Sequence, residues 1–277
     1  MNLQLEGVVA YHPAARAGAA AALNGINLHL EASEQVAVIG PSGAGKTSLL
    51  QVLACALPPS GGTYRLNGVM PWQLTRSELQ RLRGQLFLAP QVPPLPPRQR
   101  VVTAVLAARL PAMTLAASVR SLFYPSDIPG AYEALEQFDL AEKLFERVDR
   151  LSGGERQRVG LARALVAPAK MWLIDEPLSA LDPTRANQAM RTLVEGARQR
   201  NVTLVATLHQ VDMALAHFSR IIGMRAGEVA FDLPVGQVSR ERLERLYEQH
   251  SAELRGEVPA GPVDIPSPPA PVVMHCR

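Results

Sequence analysis

Cysteine is nearly missing from this chain. Two occur among 277 residues, Cys55 and Cys276, and neither stands at a metal-ligand spacing. That excludes a disulfide framework and a cysteine-bound metal, and it fits a reducing compartment. Strong charge is missing too. Lys and Arg total 28 against 25 Asp and Glu, and the net charge of +3 is too mild to point to a nucleic-acid partner. The start, Met1-Asn2-Leu3-Gln4-Leu5-Glu6, lacks the basic and apolar regions of a signal peptide. No apolar run reads as a membrane span, because the longest candidate, 101–119, is broken by Arg109 and Pro111. No internal repeat is visible. The expectation is a cytosolic protein, or one held on the inner face of a membrane through a partner. What remains is an ordinary globular composition, 47% hydrophobic and 19% charged, long enough for one large or two small domains.

One stretch stands out from that background. A run of strand formers, Gln35-Val36-Ala37-Val38-Ile39, leads into Gly40-Pro41-Ser42-Gly43-Ala44-Gly45-Lys46-Thr47-Ser48. A segment with Leu49, Leu50 and Leu53 on one helical face leads out. The nine residues fit G-x-x-x-x-G-K-[ST], a phosphate-binding loop. Gly40, Gly43 and Gly45 allow the backbone to turn its amides around a polyphosphate, and the helix that follows points its positive end at the same anion. Lys46 reaches the terminal phosphates, and the Thr47 hydroxyl is suited to Mg²⁺. The alternative is a glycine-rich turn that binds nothing. The strand before it and the helix after it weigh against that, and nucleotide binding is the expectation.

Taken in order, 3–6 and 26–31 alternate with period two and predict strands. Between them Tyr11 is either a stacking platform for an adenine ring or a plain strand-end aromatic. The first helix should stop before Pro58-Pro59-Ser60-Gly61-Gly62, and Asn67-Gly68 predicts the turn of a short hairpin. Val92-Pro93-Pro94-Leu95-Pro96-Pro97 is a stiff connector. It opens an insertion of about 92–165 with helices expected over 101–109, 130–138 and 141–148 and no β-rich run between them. From Leu151 the α/β alternation returns, with strands at 171–174 and 202–207, a helix at 185–200, and a hairpin around Ala226-Gly227. Residues 1–255 thus form one domain, and the proline-rich 256–277 reads as a disordered tail.

Two further constellations carry chemistry. Met171-Trp172-Leu173-Ile174-Asp175-Glu176 puts two carboxylates at the end of a buried strand, the edge where open α/β sheets bind ligands. Asp175 would hold the hydration shell of Mg²⁺, and Glu176 would take a proton from attacking water. The alternative is a strand ending in solvated acids. In Leu151-Ser152-Gly153-Gly154-Glu155-Arg156-Gln157, Ser152 and Glu155 stand in capping-box register ahead of Val159, Ala162, Leu165 and Val166. Capping explains those two residues. It gives no reason for two glycines in a first turn, each costing about 1 kcal/mol against alanine, whereas an anion approaching the bare helix end would supply one.

Together these residues resemble the ATP-binding subunit of an ABC transporter. Residues 40–47 match its Walker A motif, 151–157 its LSGGQ signature with Glu155 where Gln is usual, and 171–176 its Walker B motif. Ser179-Ala180-Leu181-Asp182 matches the D-loop, His209 the switch histidine, Gln91 the Q-loop glutamine and Tyr11 the A-loop aromatic. The fold this implies is a P-loop NTPase (RecA-like) core with an antiparallel β subdomain and an inserted α-helical subdomain. The resemblance further implies a head-to-tail homodimer in which Ser152, Gly153 and Gly154 serve the ATP of the other copy. His209 would contact the γ-phosphate, and Gln91 would sense that phosphate or Mg²⁺, so the metal set is Thr47, Gln91 and Asp175. Integral membrane permease subunits, and through them a solute-binding protein, are the implied partners, and the cytoplasmic face of the inner membrane the implied location.

Subfamily is read from other segments. Thr207-Leu208-His209-Gln210-Val211-Asp212, Arg120-Ser121-Leu122-Phe123-Tyr124-Pro125 and Ile221-Ile222-Gly223-Met224-Arg225-Ala226-Gly227 are similar to phosphonate-importer ATPases. The expectation is uptake of phosphonate or a related phosphorus oxyanion. The alternatives are an importer of another solute, such as an amino acid, or a soluble ABC-type ATPase acting on an assembly. The proline-rich connector 93–100 departs from the family pattern.

Overall fold

The computed structural model describes residues 1–15 and 18–248, so the tail expected at 256–277 lies outside the described residues. The chain opens with strands β1 (Leu3–Ala10), β2 (Leu23–Leu30) and β3 (Gln35–Ile39), helix α1 (Lys46–Leu53) and strand β4 (Gly61–Leu66). Helix α2 (Arg76–Arg83) and strand β5 (Leu86–Ala89) follow. Helices α3 (Val101–Leu106), α4 (Leu115–Phe123), α5 (Ile128–Glu136) and α6 (Gly153–Val166) then come in succession before strand β6 (Met171–Asp175). The last part is α7 (Pro183–Gln199), β7 (Thr203–Leu208), α8 (Val211–His217), β8 (Arg220–Arg225), β9 (Glu228–Pro234) and α9 (Arg240–Leu246).

Two sheets result. A small antiparallel one has the order β2-β1-β4; a six-stranded one has the order β5-β6-β7-β3-β8-β9 and is parallel except for β9. All residues of β3, β6 and β7 are buried, as expected of parallel strands covered on both faces. Period two then divides their side chains. Ala37, Ile39, Trp172, Ile174, Leu204 and Ala206 face a layer built mainly from α3 and α5–α9. Val36, Val38, Met171, Leu173 and Val205 face α1 and the small sheet. Leu49, Leu50 and Leu53 are fully buried in that second layer. Burial is worth about 1.5–3 kcal/mol for each side chain of this size. No helix among the described residues is long and apolar enough to cross a membrane.

Three local expectations need correction. The 141–148 segment is not an α-helix: a 3₁₀ turn, Ala141–Lys143, and a short irregular stretch lead to a second 3₁₀ turn that begins at Val148. The carbonyls of Leu144 and Glu146 accept from Val102 N and Val101 N, so this backbone satisfies the open amides at the start of α3 instead of its own turns. The hairpin at Asn67-Gly68 shrinks to one bridge, Leu66 with Val69. The turn forms, with both residues at positive φ, but Pro71, which has no N–H to donate, begins a 3₁₀ turn two residues past Val69 and ends the pairing. Helix α4 was not foreseen; the Thr114 hydroxyl caps it by accepting from Ala117 N at 3.3 Å.

Candidate functional site

The phosphate loop leaves β3 at Gly40, where φ is +151° and a Cβ would lie 2.1 Å from Met224 O. At Gly45, φ is +97° and a Cβ would lie 2.4 Å from Ala22 O. Only glycine fits at either end. From outside, Gly227 N in the β8–β9 turn donates to Ala44 O at 3.1 Å. Helix α1 begins at Lys46, and its N-cap Gly45 has no side chain to cap the first amides, so the helix start suits an anion. Lys46 is buried, and its Nζ donates to Gly40 O at 2.7 Å and Pro41 O at 3.1 Å.

The carboxylates stand beside this loop because β6 is two strands from β3 and ends at the same edge. Asp175 is buried. Its Oδ2 accepts from Thr47 Oγ1 at 2.9 Å and its Oδ1 from Thr207 Oγ1 at 2.6 Å. Glu176 adopts φ +45°, unusual for a residue with a side chain. Its N–H donates to Thr207 Oγ1 at 3.0 Å, and its Oε1 lies 2.5 Å from His209 Nε2. Burial pushes the Glu176 carboxyl up, but the hydrogen bond and charge of His209 and the charge of Lys46 outweigh it, leaving the carboxyl below its ordinary range.

Ser42, Gly43, Ala44, Gly45, Lys46, Thr47, Ser48, Gln91, Glu176 and His209 line a single open cavity of about 460 Å³, with Ala22 and His12 on its rim. Asp175 lies just beneath it through Thr47. Gly40 and Pro41 are buried behind the loop and contribute their carbonyls. Tyr11 does not line the cavity; it is half-exposed at the end of β1, next to His12. Nor do Ser152, Gly153 and Gly154 line it. Gly153 borders a second, more apolar hollow of about 480 Å³ with Gln91, Pro93, Leu95 and Ser179. The capping box forms: Ser152 N donates to Glu155 Oε2 at 2.7 Å and Glu155 N to Ser152 Oγ at 3.2 Å. A Cβ on Gly154 would come within 3.0 Å of Ala180 O, which accounts for that glycine by packing. A Cβ on Gly153 would meet nothing within 4 Å, so nothing among the described residues accounts for it.

Sequence reading passed over Thr207, Gly227 and Tyr247. Thr207, fully buried, joins Asp175 to Glu176; its only signal was a hydroxyl inside an apolar run. Gly227 was visible as a turn residue, with no hint that the turn braces the loop. Tyr247 follows Leu243 and Leu246 at helical spacing, which signals burial, but its contact with Gly40 N spans 207 residues.

A phosphate loop, an acid pair and a histidine gathered at the carboxyl edge of a parallel sheet define a nucleotide-binding ATPase cassette. The family described as ABC transporter matches residues 23–179. Phosphonates import ATP-binding proteins of Albidiferax ferrireducens and of Polaromonas sp. strain JS666 are 63% and 64% identical to the chain, and each alignment covers all of both proteins. The dimeric structure of an ATP-binding cassette in a post-hydrolysis state, bound to ADP and Pi, superposes with a TM-score of 0.70. It is 26% identical and covers 84% of this chain and 98% of that chain. The chain belongs to the ABC transporter family, as one of its ATP-hydrolysing subunits.

Proposed function

We propose that this ATPase drives import of phosphonate, or a related phosphorus oxyanion, through a separate membrane permease bound on its cytoplasmic side. Full-length likeness to two phosphonates import ATP-binding proteins supports the solute class. The observation that carries the chemistry is the convergence of Lys46, Thr47, Asp175, Glu176 and His209 on one cavity.

Loop amides of 42–48 would cradle the phosphates, while Lys46 turns from the loop carbonyls to the terminal phosphates. Thr47 and Asp175 are adjacent hard-oxygen donors and suit Mg²⁺. Among the described residues no cluster of three or more His, Cys, Asp or Glu would cage a metal, so the fit is to an ion held largely by phosphate and water. When bound, Mg²⁺ neutralises phosphate charge. Glu176, ionised at neutral pH, accepts a proton as the water oxygen attacks the γ-phosphorus and the bond to the ADP oxygen breaks. His209 orients that water and the γ-phosphate, and Tyr11 stacks on the adenine. Gln91, at the mouth of the cavity, links it to the helical insert of about 92–165 within a 1–255 ATP-binding domain. The open space at Gly153 suits approach by the phosphates of a second copy, with Ser152 and Gly154 beside it. Hydrolysis on this reading needs a head-to-tail dimer, and delivery of solute to the permease by a binding protein completes the importer.

The test is growth on, and uptake of, a phosphonate as sole phosphorus source with and without this chain. Loss of uptake on deletion, restored by the wild-type chain and not by Glu176→Gln, is expected. Unchanged phosphonate uptake in the deletion strain would overturn the solute. Failure of the chain to co-purify with any multi-span membrane protein from native membranes would count against transport and favour a soluble ATPase acting on an assembly.

A further inference from the structure

Tyr247 stands directly after α9 and is 1% exposed, yet its hydroxyl ends on the phosphate loop, where it accepts the Gly40 N–H at 3.0 Å. Gly40 is the residue at which the chain turns out of β3. Its backbone is pressed against Met224 O, and its own carbonyl accepts from Lys46 Nζ at 2.7 Å. One residue therefore joins a buried phenol on one side to the loop lysine on the other. Tyr247 is itself held firmly. Leu243 and Leu246 bury α9 in the helical layer, and Arg225 Nη1 donates to Arg245 O at 2.7 Å, fixing the end of the helix. Phenylalanine would fill the same apolar space without the oxygen. A buried backbone amide without a partner costs stability, so the hydroxyl has a defined task at this position.

We propose that Tyr247 is a positioning residue for nucleotide binding: through Gly40 it holds the phosphate loop in its cradle shape before ATP arrives. The proposal rests on the reading of the cavity as the ATP site. A loop held in its bound shape does not pay for ordering when the ligand enters. The same contact serves ground state and transition state alike, since the cradle grips the phosphates in both. Its loss should therefore raise KM with little change in kcat.

The experiment compares wild type, Tyr247→Phe and Leu193→Ala, well below the melting temperature of each. The Kd for ATP comes from equilibrium titration, and KM and kcat from ATPase assays of the full-length dimer. Tyr247→Phe should raise the Kd and the KM for ATP by about three- to tenfold, the size expected from one lost hydrogen bond, with kcat within about twofold of wild type. Leu193→Ala, which opens a hole at a fully buried position of α7, should lower the melting temperature and leave the Kd unchanged. Wild-type Kd and KM in Tyr247→Phe would overturn the proposal while the ATP site stands; absence of nucleotide binding in wild type would overturn both. If Tyr247→Phe does not fold, amide exchange in the wild-type chain decides. A protected Gly40 amide supports the strut, and exchange at the rate of an unstructured peptide refutes it.

Discussion

Thr207→Val is the substitution that tests the acid pair most sharply, because it removes one oxygen and keeps the shape of a fully buried side chain. That oxygen donates to Asp175 Oδ1 at 2.6 Å and accepts from Glu176 N at 3.0 Å. Leaving a buried polar group unpaired costs about 1–3 kcal/mol. Here Asp175 keeps its bond from Thr47, and Glu176 borders an open cavity that admits water. Both facts place the total toward the lower end, at about 2 kcal/mol. In a chain of this size that corresponds to a melting temperature lower by about 4–8 °C. The larger effect is on turnover. Glu176 sits at φ +45°, a backbone state that costs about 1–3 kcal/mol and persists only where neighbours hold it. With the bond to Thr207 gone, the residue relaxes and its carboxylate moves. Displacement of a catalytic group by about 1 Å costs up to about 10²-fold in rate. Steady-state assays should therefore show kcat down by about 10- to 100-fold, equivalent to about 1.4–2.7 kcal/mol of barrier. The KM for ATP should stay within about threefold, since Asp175 keeps its bond from Thr47 of the loop. Thr207→Ser, which keeps the oxygen, should recover most of the rate. A Thr207→Val enzyme turning over within twofold of wild type would refute the reasoning and leave Thr207 a packing residue.

Other outcomes follow from the same geometry. Glu176→Gln should keep ATP affinity, favour the closed dimer and reduce kcat by about 10²–10⁴-fold, and near-normal turnover would remove Glu176 as the base. Lys46→Ala should weaken ATP binding by about 10- to 100-fold in equilibrium titration, the size expected for a lost charge-assisted contact to phosphate. Because the Glu176 carboxyl lies below its ordinary value, its stabilising contribution is fully present above about pH 4.3 and is lost as pH falls through the lower folded value. Melts of wild type and Glu176→Gln should accordingly converge in acid, and a gap that widens there would contradict the assignment. A Cβ on Gly160 would fall 2.6 Å from Pro93 Cγ in the stiff connector, so Gly160→Ala should cost about 1–3 kcal/mol in denaturant unfolding. An unchanged midpoint would mean that the connector does not seat on α6.

Much of the molecule was legible because its chemistry is local in sequence. The strand before the phosphate loop, the loop glycines, the acid pair after 171–174 and the Ser152–Glu155 box each depend on residues within a turn or two of one another. Period two and helical spacing located every strand but β5, and the helices α1, α3, α5, α6 and α7, for the same reason; α2, α4, α8 and α9 were not foreseen. The misses have separate causes. Residues 141–148 have a helical pattern, yet carbonyls within them are taken by the first amides of α3, some forty residues earlier in the chain. Asn67-Gly68 forms its turn, yet the chain past it enters a 3₁₀ turn at Pro71 instead of a second strand.

The phosphate-binding loop, the acid pair and the family were determined by the sequence alone, because each is a short pattern whose meaning does not depend on what lies across the fold. Tertiary structure decided which groups meet. It set Thr207 between Asp175 and Glu176, brought His209 within 2.5 Å of Glu176, braced the loop with Gly227, and tied Gly40 to Tyr247. These contacts join residues from 31 to 207 positions apart, and only the order of strands in the parallel sheet, with α9 packed behind it, brings them within hydrogen-bonding distance.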